Sequence, residues 1–513
     1  MDFSRESVLF LPCGRGLPPY LEEELRALGF KATARHPTGV ETRGSMADAM
    51  ALNLRLRTAQ YVLYLLKDFR SRTPDDLYRE ALTVPWEDIV PTDEYVSVVT
   101  RVDTPSVNNT MYPSLKVKDA IVDRIADKAG ARPDSGPRRH RVVVNLFWRG
   151  EACKIYLNTS GAKLSDRGYR RIPGKAPLRE NLAAGVVMAT GYDGTQPLVC
   201  PMCGSGALAI EGALMALGRA PGLLREEFAF QRAIGFDQAA WETLREEARN
   251  EARLAGLAPA VLSDIDPKAV EAARRNAAAA GLEGIFEFHV CDFADTPVPP
   301  GEGILVMNPE YGERLGDARE LMKTYGRVGD FLKQSCAGYT AYIFTGNPEL
   351  AKSVGLRPGR RIPFHNARIE CRLVEFKLFA GSRKDFHMRD AADFDPARWK
   401  ENRAYGHAVR LFNEGQWLKC HEAFEEIWKL QRRGSQTALL MQGLVQTAVA
   451  ALKADRGLRS AARRLAKRGE AKLSAAGKHV CGVDTGRLAR EMRHYIEGRA
   501  EKPPRIGSDT GEA

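Results

Sequence analysis

No stretch of this 513-residue chain approaches the run of about 20 apolar side chains that a helix needs to cross a bilayer. The opening, MDFSRESVLFLPCGRGLPPY, lacks a basic segment followed by an apolar core, so secretion is not expected. The expectation is a soluble, cytoplasmic protein with no membrane partner. Paired cysteines are lacking too. The nine present (Cys13, Cys153, Cys200, Cys203, Cys291, Cys336, Cys371, Cys420 and Cys481) are scattered and odd in number, which argues against a disulfide framework. Cys200 and Cys203 have CxxC spacing, but no second CxxC or histidine pair completes a zinc site with them. Accidental spacing is the reading adopted over a redox or metal pair, and no metal is expected. No internal repeat stands out.

What is present is ordinary globular material, 44% hydrophobic and 27% charged, long enough for two to four domains. A net charge of +11 and a pI near 9.2 favour a polyanionic partner. The first part reads as α+β. A short helix closed by Gly29 and a second helix over 46–57 are predicted, with β-rich runs at 95–101, 141–147 and 152–157. Between the first two runs, Val117, Ile121 and Ile125 share a helical face, which points Lys116, Lys118 and Arg124 elsewhere. Residues 161–178, rich in Gly, Pro and Arg, read as a linker. Strand–helix alternation then implies a mostly parallel, doubly wound sheet, with strands at 197–200, 260–263, 285–290, 303–307, 339–344 and 371–379.

Within that region Cys200-Pro201-Met202-Cys203-Gly204-Ser205-Gly206 follows a strand and opens a helix. Gly204 and Gly206 let the backbone approach a ligand, and the helix N-terminus favours its anionic end. The next strand ends in Ser263-Asp264-Ile265-Asp266-Pro267, where a carboxylate can bind both ribose hydroxyls of a nucleoside cofactor; Asp264 is the choice, Asp266 the helix cap. The third strand ends at Asp292, placed to meet an adenine amino group. The fourth ends in Asn308-Pro309-Glu310-Tyr311. An aromatic amine is a poor nucleophile because its lone pair is delocalised. Asn308's side-chain oxygen and Pro309's carbonyl can accept its two N–H bonds and aim the lone pair, while Tyr311 stacks on the base.

These segments carry a resemblance. Gly168-Tyr169-Arg170, Ala176-Pro177-Leu178-Arg179-Glu180-Asn181-Leu182-Ala183-Ala184, Pro201–Gly206, Ser263–Pro267 and Tyr311-Gly312-Glu313-Arg314-Leu315-Gly316 resemble the bacterial large-subunit ribosomal RNA guanine-N2 methyltransferases that follow a THUMP domain. The stretch 116–125 and the strand around Val143 look like the THUMP domain itself. The resemblance implies an α+β THUMP-like N-terminal module, an α/β Rossmann-like class I methyltransferase core and S-adenosylmethionine as cofactor. It places Cys203 and Ile265 in the cofactor site with Gly204, Gly206, Asp264 and Asp292. Two departures stand out: Cys200 where the family has Asp, and Glu310 where it has a second Pro.

The end of the chain is expected to be all-α, with helices at 404–413, 417–431, 437–454, 458–474 and 485–497. His421-Glu422-Ala423-Phe424-Glu425 and Gln442–Gln446 resemble a family of small helical domains of uncharacterised function. His421 and Glu425 are one turn apart, as metal ligands or as a buried polar pair. Residues 456–478 hold eight basic residues and one acidic one, reading either as a solvated face or as an RNA contact. The expected order is a ferredoxin-like subdomain (1–60), a THUMP-like domain (61–160), a linker (161–178), a methyltransferase domain (179–381), a linker (382–400), a helical domain (401–498) and a disordered tail (499–513). The expected activity is methylation of an exocyclic base amine, guanine N2 of large-subunit ribosomal RNA. Adenine-N6 methylation of DNA or RNA and a decayed RNA-binding or ribosome-assembly protein are the alternatives. RNA is the expected partner; no protein partner is deducible.

Overall fold

The computed structural model describes residues 2–109, 111–138, 141–172, 178–253, 256–311, 318–379 and 394–507. It divides into two units, 1–378 and 379–513. The first unit opens with strands β1 (Ser7–Pro12), β2 (Ala34–His36), β3 (Gly39–Gly44), β4 (Leu63–Arg70), β5 (Tyr95–Asp103), β6 (Asp134–Ser135), β7 (Val142–Arg149) and β8 (Ala152–Asn158). Their order, β2-β3-β1-β4-β8-β7-β5-β6, is one continuous sheet. The seam between 1–60 and 61–160 is β4, which pairs antiparallel with β1 on one side and β8 on the other.

Four helices accompany this sheet: α1 (Pro18–Ala27), α2 (Met46–Arg55), α3 (Pro74–Leu82) and α4 (Tyr112–Ala129). Capping boxes at Ser45/Asp48 and Thr73/Asp76 start α2 and α3. Helix α4 is the crossover that makes β5 and β7 parallel, and it buries Val117, Ile121 and Ile125 on one face, as their spacing predicts. Lys116 and Lys118 face out, paired to Asp75 at 2.7 Å and Asp119 at 3.1 Å. Arg124 does not. It grips both oxygens of Glu87 at 2.7 Å and donates to Leu82 O, so it fastens the turn at 86–88 to α4.

Residues 161–172 correct the expected linker. Leu164, Arg167 and Tyr169 are buried, and Arg167 and Tyr169 converge on Glu211 at 3.1–3.3 Å. A buried cation must be neutralised where it lies, so this segment is core. The remainder of that expected linker, 173–177, is outside the described residues.

The second sheet holds β9 (Leu198–Cys200), β10 (Ala260–Asp264), β11 (Phe286–Val290), β12 (Ile304–Met307), β13 (Thr340–Thr345), β14 (Arg361–Asn366) and β15 (Ile369–Lys377). Its order is β11-β10-β9-β12-β13-β15-β14, parallel from β11 to β13 and antiparallel from β13 to β14. Helices α5 (Glu180–Thr190), α6 (Ala207–Ala216), α7 (Gln238–Asn250), α8 (Pro267–Ala279), α9 (Ala318–Ser335) and α10 (Pro348–Ser353) complete it. The six expected strands are all present. The seventh, β14, escapes the sequence because an edge strand tolerates Arg361, Pro363, His365 and Asn366, which break the apolar signal.

The two parts of this unit are pressed together. Gly16 adopts φ +87°, and a β-carbon there would stand 2.6 Å from Pro363 O. Arg57 reaches across to Leu214 O and Arg219 O at 3.3 and 2.8 Å.

The second unit holds α11 (Arg403–Asn413), α12 (Trp417–Leu430), α13 (Gln436–Asp455), α14 (Arg459–Ala476) and α15 (Thr485–Ile496), plus a two-residue pairing of β16 (His479–Val480) with β17 (Val483–Asp484). Helix α13 corrects the expectation that no stretch nears bilayer-spanning length: by length and composition it is long and apolar enough, but 61% of its apolar stretch is buried inside the bundle. Two boundaries are corrected here. Phe394, inside the expected linker 382–400, is buried against Tyr405; residues 380–393 are outside the described set. The described part of the expected tail, 499–507, is pinned at Ile506, which is buried and exchanges two backbone hydrogen bonds with the Asn413 side chain at 2.8 and 2.9 Å; 508–513 are outside the described residues. One apolar residue with a docking partner suffices where composition alone forecasts disorder.

Candidate active site

The parallel strands β9 to β12 all end on one edge, and the chain reverses its winding between β9 and β12, the usual place for a ligand crevice. The first strand runs into the glycine turn. Gly204 (φ +53°) and Gly206 (φ +82°) take left-handed conformations, and Met202 does so without being glycine. Around Gly204 a β-carbon would meet nothing, so that side of the turn is open. At Gly206 it would press on Ala273 at 3.1 Å, which seats the turn against α8. The turn is tied down by Cys203 N–H donating to Ser263 O at 2.9 Å.

Asp264 stands at the tip of β10, as expected, and already does structural work. Its carboxylate accepts from Gly204 N at 2.9 Å and from Asp266 N at 3.0 Å, one bond per oxygen, each oxygen keeping a second lone pair. Asp266 caps α8 through Lys268 N, as read. Ile265 is 70% exposed and Val290, at the tip of β11, is 57% exposed, so two large apolar side chains stand uncovered beside the turn. Asp292 accepts from Ala294 N and from Arg327, both at 2.9 Å and both through Oδ1. Burial pushes its pKa up, but the Ala294 amide and the Arg327 guanidinium outweigh that and hold it below the ordinary carboxylate value.

Asn308 and Pro309 follow β12. Asn308 Oδ1 is buried and has no hydrogen-bond partner among the described residues. It lines a small pocket with Cys200, Met202, Cys203, Gly206 and Leu208. Burial pushes the thiols of Cys200 and Cys203 well up, the opposite of a reactive or metal-binding pair. Glu310 is exposed. Tyr311 is half-buried, its ring against Gly346 and its hydroxyl accepting from Asn366 at 3.0 Å. Burial is the main cause of its raised pKa. The rest of its motif, 312–316, is outside the described residues.

Sequence reasoning missed the residues that hold the turn from behind. Asn276, fully buried on α8, accepts from Arg171 N and Ile172 N and donates to Ile172 O and Ser205 O, all at 2.9–3.1 Å. Arg170 donates to Glu180, Leu178 O and Ser205 Oγ at 2.7–2.8 Å. A polar residue on the buried face of α8, beside Ala273 and Ala277, was the available signal. In the second unit, His421 and Glu425 are 3.9 Å apart, with Lys429 on Glu425 at 3.2 Å. Among the described residues no three His, Cys, Asp or Glu side chains converge as a metal site.

Four family models match the chain in succession: an RlmL ferredoxin-like domain over residues 8–63, a THUMP domain over 71–158, an RMKL-like methyltransferase domain over 167–375 and a domain of unknown function (DUF309) over 405–465. A ribosomal RNA large subunit methyltransferase K/L of Syntrophotalea carbinolica is 38% identical over 379 residues, 72% of this chain. The chain spans about half that relative's length, 53%. Among solved structures, SMU.472, a putative methyltransferase complexed with SAH, is 26% identical with a TM-score of 0.66, the match covering 74% of this chain and 99% of that one. A protein from Listeria monocytogenes titled a predicted N6-adenine-specific DNA methylase is 27% identical with the same TM-score, the match covering 72% of this chain and 96% of that one. Residues 167–375 thus match the RMKL-like methyltransferase domain model, behind matches to RlmL ferredoxin-like and THUMP domains and ahead of a match to DUF309.

Proposed function

We propose that this chain methylates RNA, using S-adenosylmethionine to modify an exocyclic base amine, guanine N2 of large-subunit ribosomal RNA. The observation that carries the reading is the buried, unsatisfied oxygen of Asn308 beside an open glycine turn. A buried amide acceptor without a partner costs roughly 1–3 kcal/mol, which a substrate N–H repays. The relatives' names support ribosomal RNA methylation, and the SAH-bound neighbour supports the cofactor.

The residues present fit the cofactor. Gly204 leaves room for close approach, the N-terminus of α6 faces the turn, and the spare lone pairs of Asp264 suit two ribose hydroxyls. Ile265 and Val290 offer apolar faces to a purine, and Asp292 Oδ2 is uncommitted toward its amino group. S-adenosylmethionine supplies the electrophilic methyl group. Asn308 Oδ1 and Pro309 O accept the two N–H bonds of the target amine and direct its lone pair; Tyr311 braces the base. Orientation provides the rate gain, with no strong base required.

The neighbour titled an adenine methylase keeps adenine N6 as the second reading. Glu310 favours guanine, since its carboxylate accepts from the N1 and N2 donors of guanine and repels the bare N1 acceptor of adenine. The test is methylation of ribosomal RNA from a strain lacking this protein, with the modified nucleotide identified by mass spectrometry. N2-methylguanosine is expected. N6-methyladenosine formed as readily would overturn the guanine assignment, and no product from a chain that binds no cofactor would overturn the activity.

A further inference from the structure

Helices α14 and α15 of the second unit enclose a cavity of about 350 Å³, at the small end of the roughly 300–1,000 Å³ of ligand sites. Its interior is mainly apolar, with Ala466, Ala489 and the buried side chains of Met492 and Ile496; Thr447 of α13 also lines it, its hydroxyl donating to Gly443 O at 2.7 Å. Its rim is cationic. Arg463 and Lys467 stand one turn apart on α14, exposed and without partners among the described residues; Arg493 of α15 lies opposite, paired with Glu470. Glu497, the other acidic residue lining the cavity, is paired with Arg499. The two free charges at the rim are therefore both positive. The same helix carries Arg459, Arg464, Arg468 and Lys472, so the field continues along its length.

We infer that this cleft is a second RNA-binding site, taking the backbone of a single strand on Arg463 and Lys467 and seating one base against Ala466 and Ala489, with Met492 in the cleft wall as its reporter. The inference rests on the RNA-methyltransferase reading above. Two unpaired cations beside an apolar hollow suit a ligand with alternating phosphates and flat apolar bodies, and a row of further cations suits a polymer of them over a single nucleotide. A purely solvated face would have no reason to surround an apolar hollow.

The test is methionine-methyl NMR on the full chain, titrated with a single-stranded oligouridylate. The Met492 methyl signal is expected to shift as the oligonucleotide saturates. In Arg463→Gln/Lys467→Gln that shift is expected to vanish, and the slope of log affinity against log salt to fall by about 1.4, two contacts at about 0.7 each. An unchanged signal from Met441, in the core of the same helical unit, would show that the variant is folded. A silent Met492 while RNA binds elsewhere and ribosomal RNA is methylated overturns the cleft and leaves the activity standing. Uridine monophosphate or polyglutamate shifting Met492 at the same concentration as the oligonucleotide overturns it in favour of a mononucleotide or acidic-peptide site. Failure to bind RNA or methylate it overturns both readings.

Discussion

Asn308 turns a carboxamide oxygen inward at the end of β12, while Glu310, two residues on, is exposed. Asn308→Ala is therefore expected to keep cofactor affinity and lose turnover, since one transition-state hydrogen bond is worth about 2.7–4 kcal/mol, a factor of 100 to 1,000; single-turnover methylation checks it. Glu310→Pro is expected to keep cofactor binding and change the rate on guanine-containing RNA. An identical rate would assign Glu310 to solvent alone. Asp264 is a mixed case. Losing its charge-assisted bonds to the ribose should cost roughly 1.5–3 kcal/mol in cofactor affinity, and because it also holds Gly204 and Asp266, Asp264→Ala should lower Tm as well. Calorimetry finding unchanged affinity would move the ribose elsewhere. These positions were legible in the sequence because each is a carboxylate or amide at a strand tip, fixed by a few neighbours in the chain. The backbone work of Asp264 was not legible, since Gly204 lies 60 residues away.

Helix α4 and the turn at 86–88 are joined by Arg124 and Glu87. The Arg124 guanidinium is the main cause that lowers the Glu87 pKa from its ordinary 4.5 to about 2, against the smaller upward push of burial. A depressed carboxylate stabilises the fold above its unfolded value and loses that contribution as pH falls from about 4.5 toward about 2. Arg124→Ala should flatten the acid limb of a stability–pH profile in that window; an unaltered profile would remove the pair from the account. Helix α6 carries Glu211, whose partner Arg167 is fully buried. Glu211→Leu leaves that charge unpaired and should cost about 3–5 kcal/mol, read as a drop in Tm. Periodicity made the buried face of α4 legible and put Arg124 off that face, but its partner Glu87, 37 residues away, is one that spacing cannot locate.

Over the first 378 residues, the N-terminal sheet is joined to the second sheet's domain by Arg57, which donates to Leu214 O and Arg219 O, while Glu24 holds the Arg57 and Thr58 amides from the N-terminal side. Asn181 adds a bond to Thr58 O, and Arg167 one to Arg57 O. Arg57→Ala should uncouple them, so calorimetry would resolve a separate transition for the N-terminal sheet; one unshifted transition would show that apolar packing suffices. The sequence by itself determined the order of the domains, the glycine turn, the carboxylates at the strand tips and the amide beside the turn. Each of these depends on residues adjacent in the chain or on a simple period. Tertiary structure alone decided that β4 fuses two modules into one sheet, that 161–172 is core, and that Asn276 braces the turn. Those outcomes rest on hydrogen bonds between groups 42 to 105 residues apart, and a buried polar group takes whichever partner the packed chain brings to it.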